Sequence, residues 1–173
     1  MEGVIRQIVL DTTVIVNFLV LGRGDLFMMM PETKFWVSEH VRREIAEFEN
    51  VTLSLQLESL FEAGILELVE RYSLFELALF GELRDSKTMG AGECAAMTLG
   101  IHRGWILATD DKLAGREFLR RVPDDNRLAS TALLMLDLIR AGSLSVADAD
   151  GIKERLTREF RFRMMFDSFR DLV

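Results

Sequence analysis

The sequence predicts an α/β sandwich in which helices flank a mostly parallel sheet in three layers. Short apolar segments of four to seven residues alternate along the chain with segments of helical periodicity, which is the order of elements in α/β proteins. Acidic residues follow two of these apolar segments directly. A chain of 173 residues with 49% hydrophobic content is also long enough to bury a core of this kind as one domain.

Three strands and four helices are predicted in the first half of the chain. The first strand is apolar apart from Arg6 and Gln7 and runs into Asp11, after which hydroxyl or carboxylate side chains can cap a helix. Ser38 follows the second strand and is a good N-cap for the helix over 39–49. Gly64 ends the helix over 53–63. The predicted strands are 4–10, 34–37 and 65–69, and the predicted helices are 12–21, 39–49, 53–63 and 73–84.

One strand and four helices are predicted in the second half. A Met-Gly-Ala-Gly turn at 89–92 precedes a helix that begins at Glu93 and ends near Gly104. A strand over 105–109 then stops at Asp110 and Asp111. The remaining predicted helices are 112–121, 126–141 and 145–158. Because there are no repeats or low-complexity linkers, we expect one domain over 1–173, with 122–173 as a helical C-terminal extension packed on it.

The last fourteen residues, 160–173, contain four phenylalanines and two methionines among three arginines. Alternation from Phe160 to Met164 favours a strand, whereas Phe166, Phe169 and Val173 recur at helical spacing. Such a segment either closes the core of its own domain or forms a surface for a second copy or a partner protein, since aromatic, Met and Arg residues are enriched at interface cores. The sequence leaves both alternatives open.

Composition narrows the class of protein. The single cysteine, Cys94, excludes an internal disulfide and fits a reducing compartment. No export signal or apolar run of membrane-spanning length is apparent, so we expect a cytoplasmic protein without a membrane partner. The net charge of −7 opposes nucleic-acid binding, but residues 39–93 alone hold 12 acids and 5 bases. Mildly basic regions follow at 112–127 and 151–173. Phosphate-binding glycine loops and zinc-ligand clusters are absent from the sequence.

Five acidic residues are candidates for a functional site: Asp11, Glu44, Glu93, Asp110 and Asp111. Ligands of open parallel sheets bind beyond the carboxyl ends of the strands, where three of these acids are predicted to lie. Gathered together, they would form an oxygen-rich site for a hard divalent cation, as phosphodiester hydrolysis requires. The structural alternatives are that the aspartates cap helices, that Glu44 is solvated at the border of its helix's apolar stripe, and that Glu93 only complements a helix dipole.

The order and spacing of these residues resemble those of a known family. The Asp11–Thr13 motif after the first strand, Glu44 on a helix, Gly92-Glu93 followed by alanines, and Thr109-x-Asp111 at a strand end are similar to the four acidic motifs of the PIN-domain ribonucleases. That family includes the VapC-type toxins of prokaryotic toxin–antitoxin pairs. The resemblance covers roughly 4–121, and the remainder is similar to that of a prokaryotic PIN subfamily.

The resemblance implies a Rossmann-like PIN fold and hydrolysis of RNA with Mg²⁺ or Mn²⁺. By this resemblance Asp11, Glu93 and Asp111 hold the metal, with Asp110 as an alternative or additional ligand. Glu44 would bind or orient the hydrated ion, while Thr12 and Thr109 position the ligands. The implied partners are RNA, a second copy of the chain in a homodimer, and an antitoxin protein. A nuclease acting on structured DNA or in RNA maturation, and a catalytically silent module that binds RNA or protein, are the alternatives.

Overall fold

The computed structural model describes residues 5–173 and contains five strands and nine α-helices within that range. The strands are β1 Arg6–Leu10, β2 Thr33–Ser38, β3 Leu66–Val69, β4 Ile106–Ala108 and β5 Leu128–Ala129. The helices are α1 Thr12–Leu19, α2 Asp25–Met28, α3 Glu39–Ala46, α4 Val51–Glu62, α5 Leu74–Asp85, α6 Ala91–Arg103, α7 Lys112–Arg121, α8 Thr131–Arg140 and α9 Val146–Phe160. All strand pairs are parallel, in the order β3-β2-β1-β4-β5. The predicted α/β architecture is confirmed.

The central strand β1 is covered on both faces. Ile8, Val9 and Leu10 are each fully buried, which explains why the segment reads as a continuous apolar run rather than as an alternating one. Leu10 is in register with Val37 of β2 and with Ala108 of β4. The carboxyl ends of these three strands therefore lie side by side, and whatever follows them in sequence meets at one edge of the sheet.

Two hydrophobic cores lie on opposite faces of the sheet. Alternate β1 residues enter each core, because successive side chains of a strand point to opposite faces. Ile8 and Leu10 belong to the larger core, together with residues of α1, α3, α4, α8 and α9. Val9 belongs to the smaller core, which α5, α6 and α7 complete. Cys94 is fully buried in the smaller core, as a small apolar residue would be.

The predicted helix over 126–141 was wrong in its first part. A 3₁₀ turn at Asp125–Arg127 leads into β5, and Ser130 then caps α8 by accepting a hydrogen bond from the Leu133 amide at 3.3 Å. A two-residue strand carries no periodicity, so only its pairing with β4 defines it. Residues 122–173 are thus not a purely helical extension, because they supply an edge strand of the sheet.

The C-terminal segment closes the core of its own domain. No strand forms between Phe160 and Met164, since α9 runs to Phe160 and Arg161 ends it in the left-handed conformation. Phe169 and Met164 are buried in the larger core, and the Phe166 ring packs against Phe169 at 4.8 Å. The interpretation of Phe169 as an interface residue was therefore wrong. The predicted helical spacing amounts to one 3₁₀ turn, Phe169–Asp171.

The other predicted elements are present with shifted ends, and the short helix α2 was not predicted. The predicted start of the first strand at Val4 lies outside the described residues. Helix α6 begins two residues earlier than expected, so that Glu93 is its third residue instead of its first. No helix of the described chain is both long and apolar enough to cross a membrane.

Candidate functional site

The carboxyl edge of the sheet gathers the candidate acids from four elements. Asp11 follows β1 and caps α1, whereas Asp111 follows β4 and caps α7. Glu93 lies in the first turn of α6. Glu44 reaches the same edge from α3, because its side chain contacts both Thr12 and Gly92. These four side chains therefore lie at one edge of the sheet.

Asp11 is a buried carboxyl group held by three donors. Its side chain is 1% exposed. Oδ1 accepts a hydrogen bond from the Thr12 amide at 2.7 Å, and Oδ2 accepts from the hydroxyls of Thr13 and Thr109, each at 2.9 Å. Burial raises the pKa of Asp11 from 3.8 to about 6; these hydrogen bonds oppose the rise, and the charge of Glu93 adds to it.

Glu44 joins the starts of α1 and α6. Its Oε1 accepts a hydrogen bond from the Gly92 amide at 2.7 Å, and its Oε2 accepts from the Thr12 hydroxyl at 2.6 Å. A Cβ on Gly92 would overlap Oε2 and lie 2.8 Å from Glu44 Cδ and 2.9 Å from Thr12 Oγ1. Gly92 is therefore needed for the close approach of Glu44. Although Glu44 lies at the border of the apolar stripe of α3, its side chain points toward the starts of α1 and α6 and not into solvent.

Glu93 and Asp111 each use one carboxylate oxygen to cap a helix. Glu93 Oε2 accepts from the Gly90 amide at 2.7 Å, and Asp111 Oδ1 accepts from the Leu113 and Ala114 amides at 2.7 and 2.8 Å. Within residues 5–173, Glu93 Oε1 and Asp111 Oδ2 accept no hydrogen bond. Burial raises the pKa of Glu93; the Gly90 amide opposes this, and the nearby charges of Asp111 and Glu44 reinforce it.

Asp110 ties the end of β4 to α1 and α8. Its Oδ1 accepts from the Thr131 amide at 3.0 Å, and its Oδ2 accepts from the Thr131 hydroxyl at 2.5 Å and from Asn17 Nδ2 at 2.9 Å. Its own amide donates to the Thr13 hydroxyl at 3.2 Å. Burial raises the pKa of Asp110, while these donors lower it.

Sequence reasoning missed Asn17, Thr13 and Thr131 as members of this network. Asn17 carried a usable signal, because a polar residue inside the apolar run VIVNFLVL must find a partner when the helix is buried. Thr109 joins the network to the site, since its hydroxyl donates to Asp11 and accepts from the Asp111 amide at 3.1 Å. Thr12 and Thr109 thus donate hydrogen bonds to Glu44 and to Asp11, respectively.

None of the five acids forms an ion pair with any described residue. Other carboxylates behave differently: Glu76 is paired with Arg103 at 2.6 Å, and two arginines hold the pKa of Glu117 at about 2. Carboxylates that are crowded, half-buried and unpaired are the donor set that a hard divalent cation prefers.

Across residues 5–173, no three His, Cys, Asp or Glu side chains form a group that could hold one metal ion. The all-oxygen donor set nevertheless fits Mg²⁺ or Mn²⁺ in its chemistry. The gathering of the acids at one edge is observed, and their ligation of a single ion stays a prediction.

No family model matches the chain, and no curated protein matches it. Among solved structures, the chain is similar to VapBC2 from Rickettsia felis bound to a DNA fragment from their promoter. The TM-score is 0.48 and the identity 16%, over 72% of this chain and 96% of the matched chain. A likeness of this degree says nothing about activity, which has to be argued from the residues of the chain itself.

Proposed function

We propose that the chain is a metal-dependent endoribonuclease of PIN type that hydrolyses RNA phosphodiester bonds in the cytoplasm, as the toxin of a toxin–antitoxin pair. The observation that supports the activity is the assembly of Asp11, Glu44, Glu93 and Asp111 at the carboxyl edge of a parallel sheet without a cationic partner among the described residues. The toxin role is supported by the four sequence motifs alone.

In this proposal Asp11, Glu93 and Asp111 would hold Mg²⁺ or Mn²⁺, and Glu44 would orient the hydrated ion. The bound cation would supply an activated water and stabilise negative charge on the phosphoryl group. Thr109 fixes the orientation of the Asp11 carboxylate, since its hydroxyl donates to Oδ2. We assign Asp110 to positioning rather than to ligation, because both its oxygens already accept hydrogen bonds from Asn17 and Thr131.

Proton release would accompany cation binding at this site. The pKa of Asp11 is raised to about 6, so part of the Asp11 carboxyl population carries a proton below neutral pH, and the pKa of Glu93 is raised as well. A metal ligand has to be deprotonated, and occupancy would therefore fall as the pH drops below about 6. The nuclease should lose activity under mildly acidic conditions for this reason.

A catalytically silent module that binds RNA or protein is the second candidate. The absence of any ligating group of three acids among residues 5–173 favours it. No observation on the described residues favours the other alternative, a nuclease specialised for structured DNA or RNA maturation, over cleavage of single-stranded RNA. The silent module predicts RNA binding without cleavage in any divalent cation.

The experiment is a cleavage assay on labelled single-stranded RNA with Mg²⁺, Mn²⁺ or EDTA. We expect cleavage only with metal, and a loss of about 100-fold or more in Glu93→Gln and Asp111→Asn. Glu44→Gln and Glu39→Gln form a matched pair on α3: Glu44 faces the site, whereas Glu39 is paired with Arg43 at 3.1 Å on the outside. Equal activity in the pair, or cleavage that persists in EDTA, would overturn the proposal.

We further propose that the chain forms a homodimer through α5. Leu74 and Phe75 of this helix are 83% and 77% exposed, and together with Ala78 and Gly81 they recur on one helical face. Large exposed apolar side chains on one face are typical of interaction surfaces. Nothing lies within 4 Å of a Cβ built on Gly81. In an antiparallel pairing centred on Ala78, Phe75 of one copy would cover Gly81 of the other.

The same pairing would bring opposite charges together. Arg71 precedes the helix and Asp85 ends it, and neither forms an ion pair with any described residue. An antiparallel arrangement about Ala78 places Arg71 of one copy opposite Asp85 of the other, which supports that register. The antitoxin rests on the sequence resemblance alone, and no surface is assigned to it.

A further inference from the structure

A groove of about 480 Å³ adjoins the candidate acids on the far side of Asp111. It lies between α7 and the junction of β5 with α8. Its principal lining residues are Asp111, Lys112, Arg116, Leu119, Leu128 and Ser130. Thr109 and Asp110 also line it, so the groove borders the Thr109-x-Asp111 motif, whereas Lys112, Arg116 and the two leucines do not belong to the site described above.

Two unpaired cations line one wall of the groove. Lys112 and Arg116 are four residues apart on α7 and therefore share a face of the helix. Neither forms an ion pair with a described carboxylate, and the only side-chain hydrogen bond of the two runs from Arg116 Nε to the Lys112 carbonyl at 3.2 Å. Their positive charge is free for an anion from outside.

Two other arginines show that unpaired cations are not a general property of α7. Arg120 and Arg121 face another groove, and each is paired with Glu117 at 2.7 Å. Arg121 is also paired with Glu82 at 2.8 Å. The arginines of α7 that lie farther from Asp111 are therefore paired with carboxylates, whereas Lys112 and Arg116, which lie next to Asp111, are not. This is notable because the net charge of the chain is −7 and carboxylates outnumber cations.

The floor of the groove is apolar. Half-buried Leu119 and Leu128 form it, and Gly115 lies between the two cations on α7. A Cβ on Gly115 would lie 3.4 Å from Leu128 Cδ2 and would narrow the space above the leucines. At the rim, the Ser130 hydroxyl accepts from the Leu133 amide at 3.3 Å and can donate its proton to a ligand.

We infer that this groove is the subsite for one nucleotide of single-stranded RNA beside the scissile phosphate, an inference that rests on the proposed function. An unstacked base has an apolar face that suits the leucine floor and polar edges that suit Ser130. The phosphate that follows the base suits Lys112 and Arg116. A duplex hides its base faces, so the subsite selects an unpaired strand.

The test measures binding of a fluorescein-labelled oligouridylate to the whole protein in EDTA, so that no cleavage takes place. Lys112→Gln with Arg116→Gln should weaken binding about tenfold and lower the slope of log Kd against log salt by about 0.7, which corresponds to one phosphate contact. Leu128→Ser should weaken binding without changing that slope, and an abasic site in the oligonucleotide should remove the effect of Leu128→Ser. Arg120→Gln is the matched control and should change Kd less than twofold, because Arg120 is already paired.

The outcomes separate this subsite from the catalytic proposal. Equal weakening by Arg120→Gln and by the double variant would mean that only the general charge matters, and this would overturn the subsite. No RNA binding by the wild type in EDTA would overturn it as well. If the double variant and Leu128→Ser lose RNA binding as described while the wild type cleaves nothing with Mg²⁺ or Mn²⁺, the subsite stands and the nuclease proposal fails.

Discussion

Replacing Asp11 with asparagine should stabilise the metal-free protein at neutral pH and destabilise it at pH 4. The Asp11 carboxyl is 1% exposed, and burial raises its pKa from 3.8 to about 6. A carboxyl whose pKa is higher in the folded state favours folding when it is protonated. Its contribution is therefore most favourable below pH 3.8 and becomes progressively unfavourable as the pH rises to about 6.

The size of the effect follows from the shift and from the hydrogen bonds. A difference of about two pH units corresponds to about 3 kcal/mol of destabilisation at pH 7.5, which asparagine removes. The substitution also places an amide group opposite the hydroxyls of Thr13 and Thr109, which now donate to Oδ2 and would have to reverse. This reversal costs about 1 kcal/mol. The variant should therefore be about 2 kcal/mol more stable at pH 7.5, and the two stability curves should cross at about pH 4.5.

Urea denaturation in EDTA from pH 4 to pH 7.5 measures this difference, with the stacked pair Trp36 and Trp105 as the fluorescent probe. At neutral pH the gain corresponds to a rise of about 4–8 °C in Tm. Glu117→Gln is the control of opposite sign, because the folded pKa of Glu117 is lowered to about 2 and its favourable contribution is present above pH 4.5. A constant difference between wild type and Asp11→Asn over the whole pH range would refute the account.

Three further predictions concern the metal, the glycine beside Glu44 and the dimer. Mg²⁺ or Mn²⁺ at 100 times the Kd should increase the free energy of unfolding of the wild type by about 2.7 kcal/mol, measured as a rise in Tm, and should raise the Tm of Asp11→Asn much less; equal rises would contradict the assignment of Asp11 as a ligand. Gly92→Ala should cost about 1–2 kcal/mol in urea denaturation, because the new methyl group displaces Glu44 from the Gly92 amide and the Thr12 hydroxyl. In a Glu44→Ala background the same change should cost less, because only the close approach to Thr12 Oγ1 remains. Gly81→Leu should yield a folded monomer in light scattering. Gly151→Leu is the control and should remain dimeric, because Gly151 is also a helical glycine with no described atom within 4 Å of an added Cβ. The same mass for both variants would rule out α5 as the interface.

The sequence specified the parts of the fold that depend on local patterns. Continuous apolar runs predicted β1 and β4, and the caps Ser38 and Asp11 were visible as side chains at the ends of strands. The strand β5 was not predictable, because two residues hold it in the sheet only through pairing with β4. Phe169 was ambiguous for a related reason: its spacing fits a core or an interface, and only the docking of the tail on α9 decides between them.

The candidate acids were predictable as positions but not as contacts. The end of β4 offered two adjacent aspartates, and the sequence could not assign one of them to the site. The structure separates them because Asn17 and Thr131, which lie far from Asp110 in sequence, bind both of its oxygens. The turn of Glu44 toward α6 likewise depends on Gly92, 48 residues away, and no local pattern predicts such a contact.

The structural and the functional interpretations of these acids are not exclusive, and their combination explains the arrangement of the edge. Asp11, Glu93 and Asp111 all cap helices, as the structural alternative stated, and Glu44 accepts the amide of the second residue of α6. A cap occupies part of a carboxylate and fixes its direction, while it leaves lone pairs free. Helices that start at the ends of neighbouring parallel strands thus orient several carboxylates toward the same space. Without the capping hydrogen bonds, these side chains would populate several rotamers. The cost is the burial of these carboxylates and, to a smaller extent, their mutual repulsion, and it appears as the raised pKa of Asp11 and of Glu93. A cation would relieve that repulsion, so the caps that hold the acids in place also give them a reason to bind one.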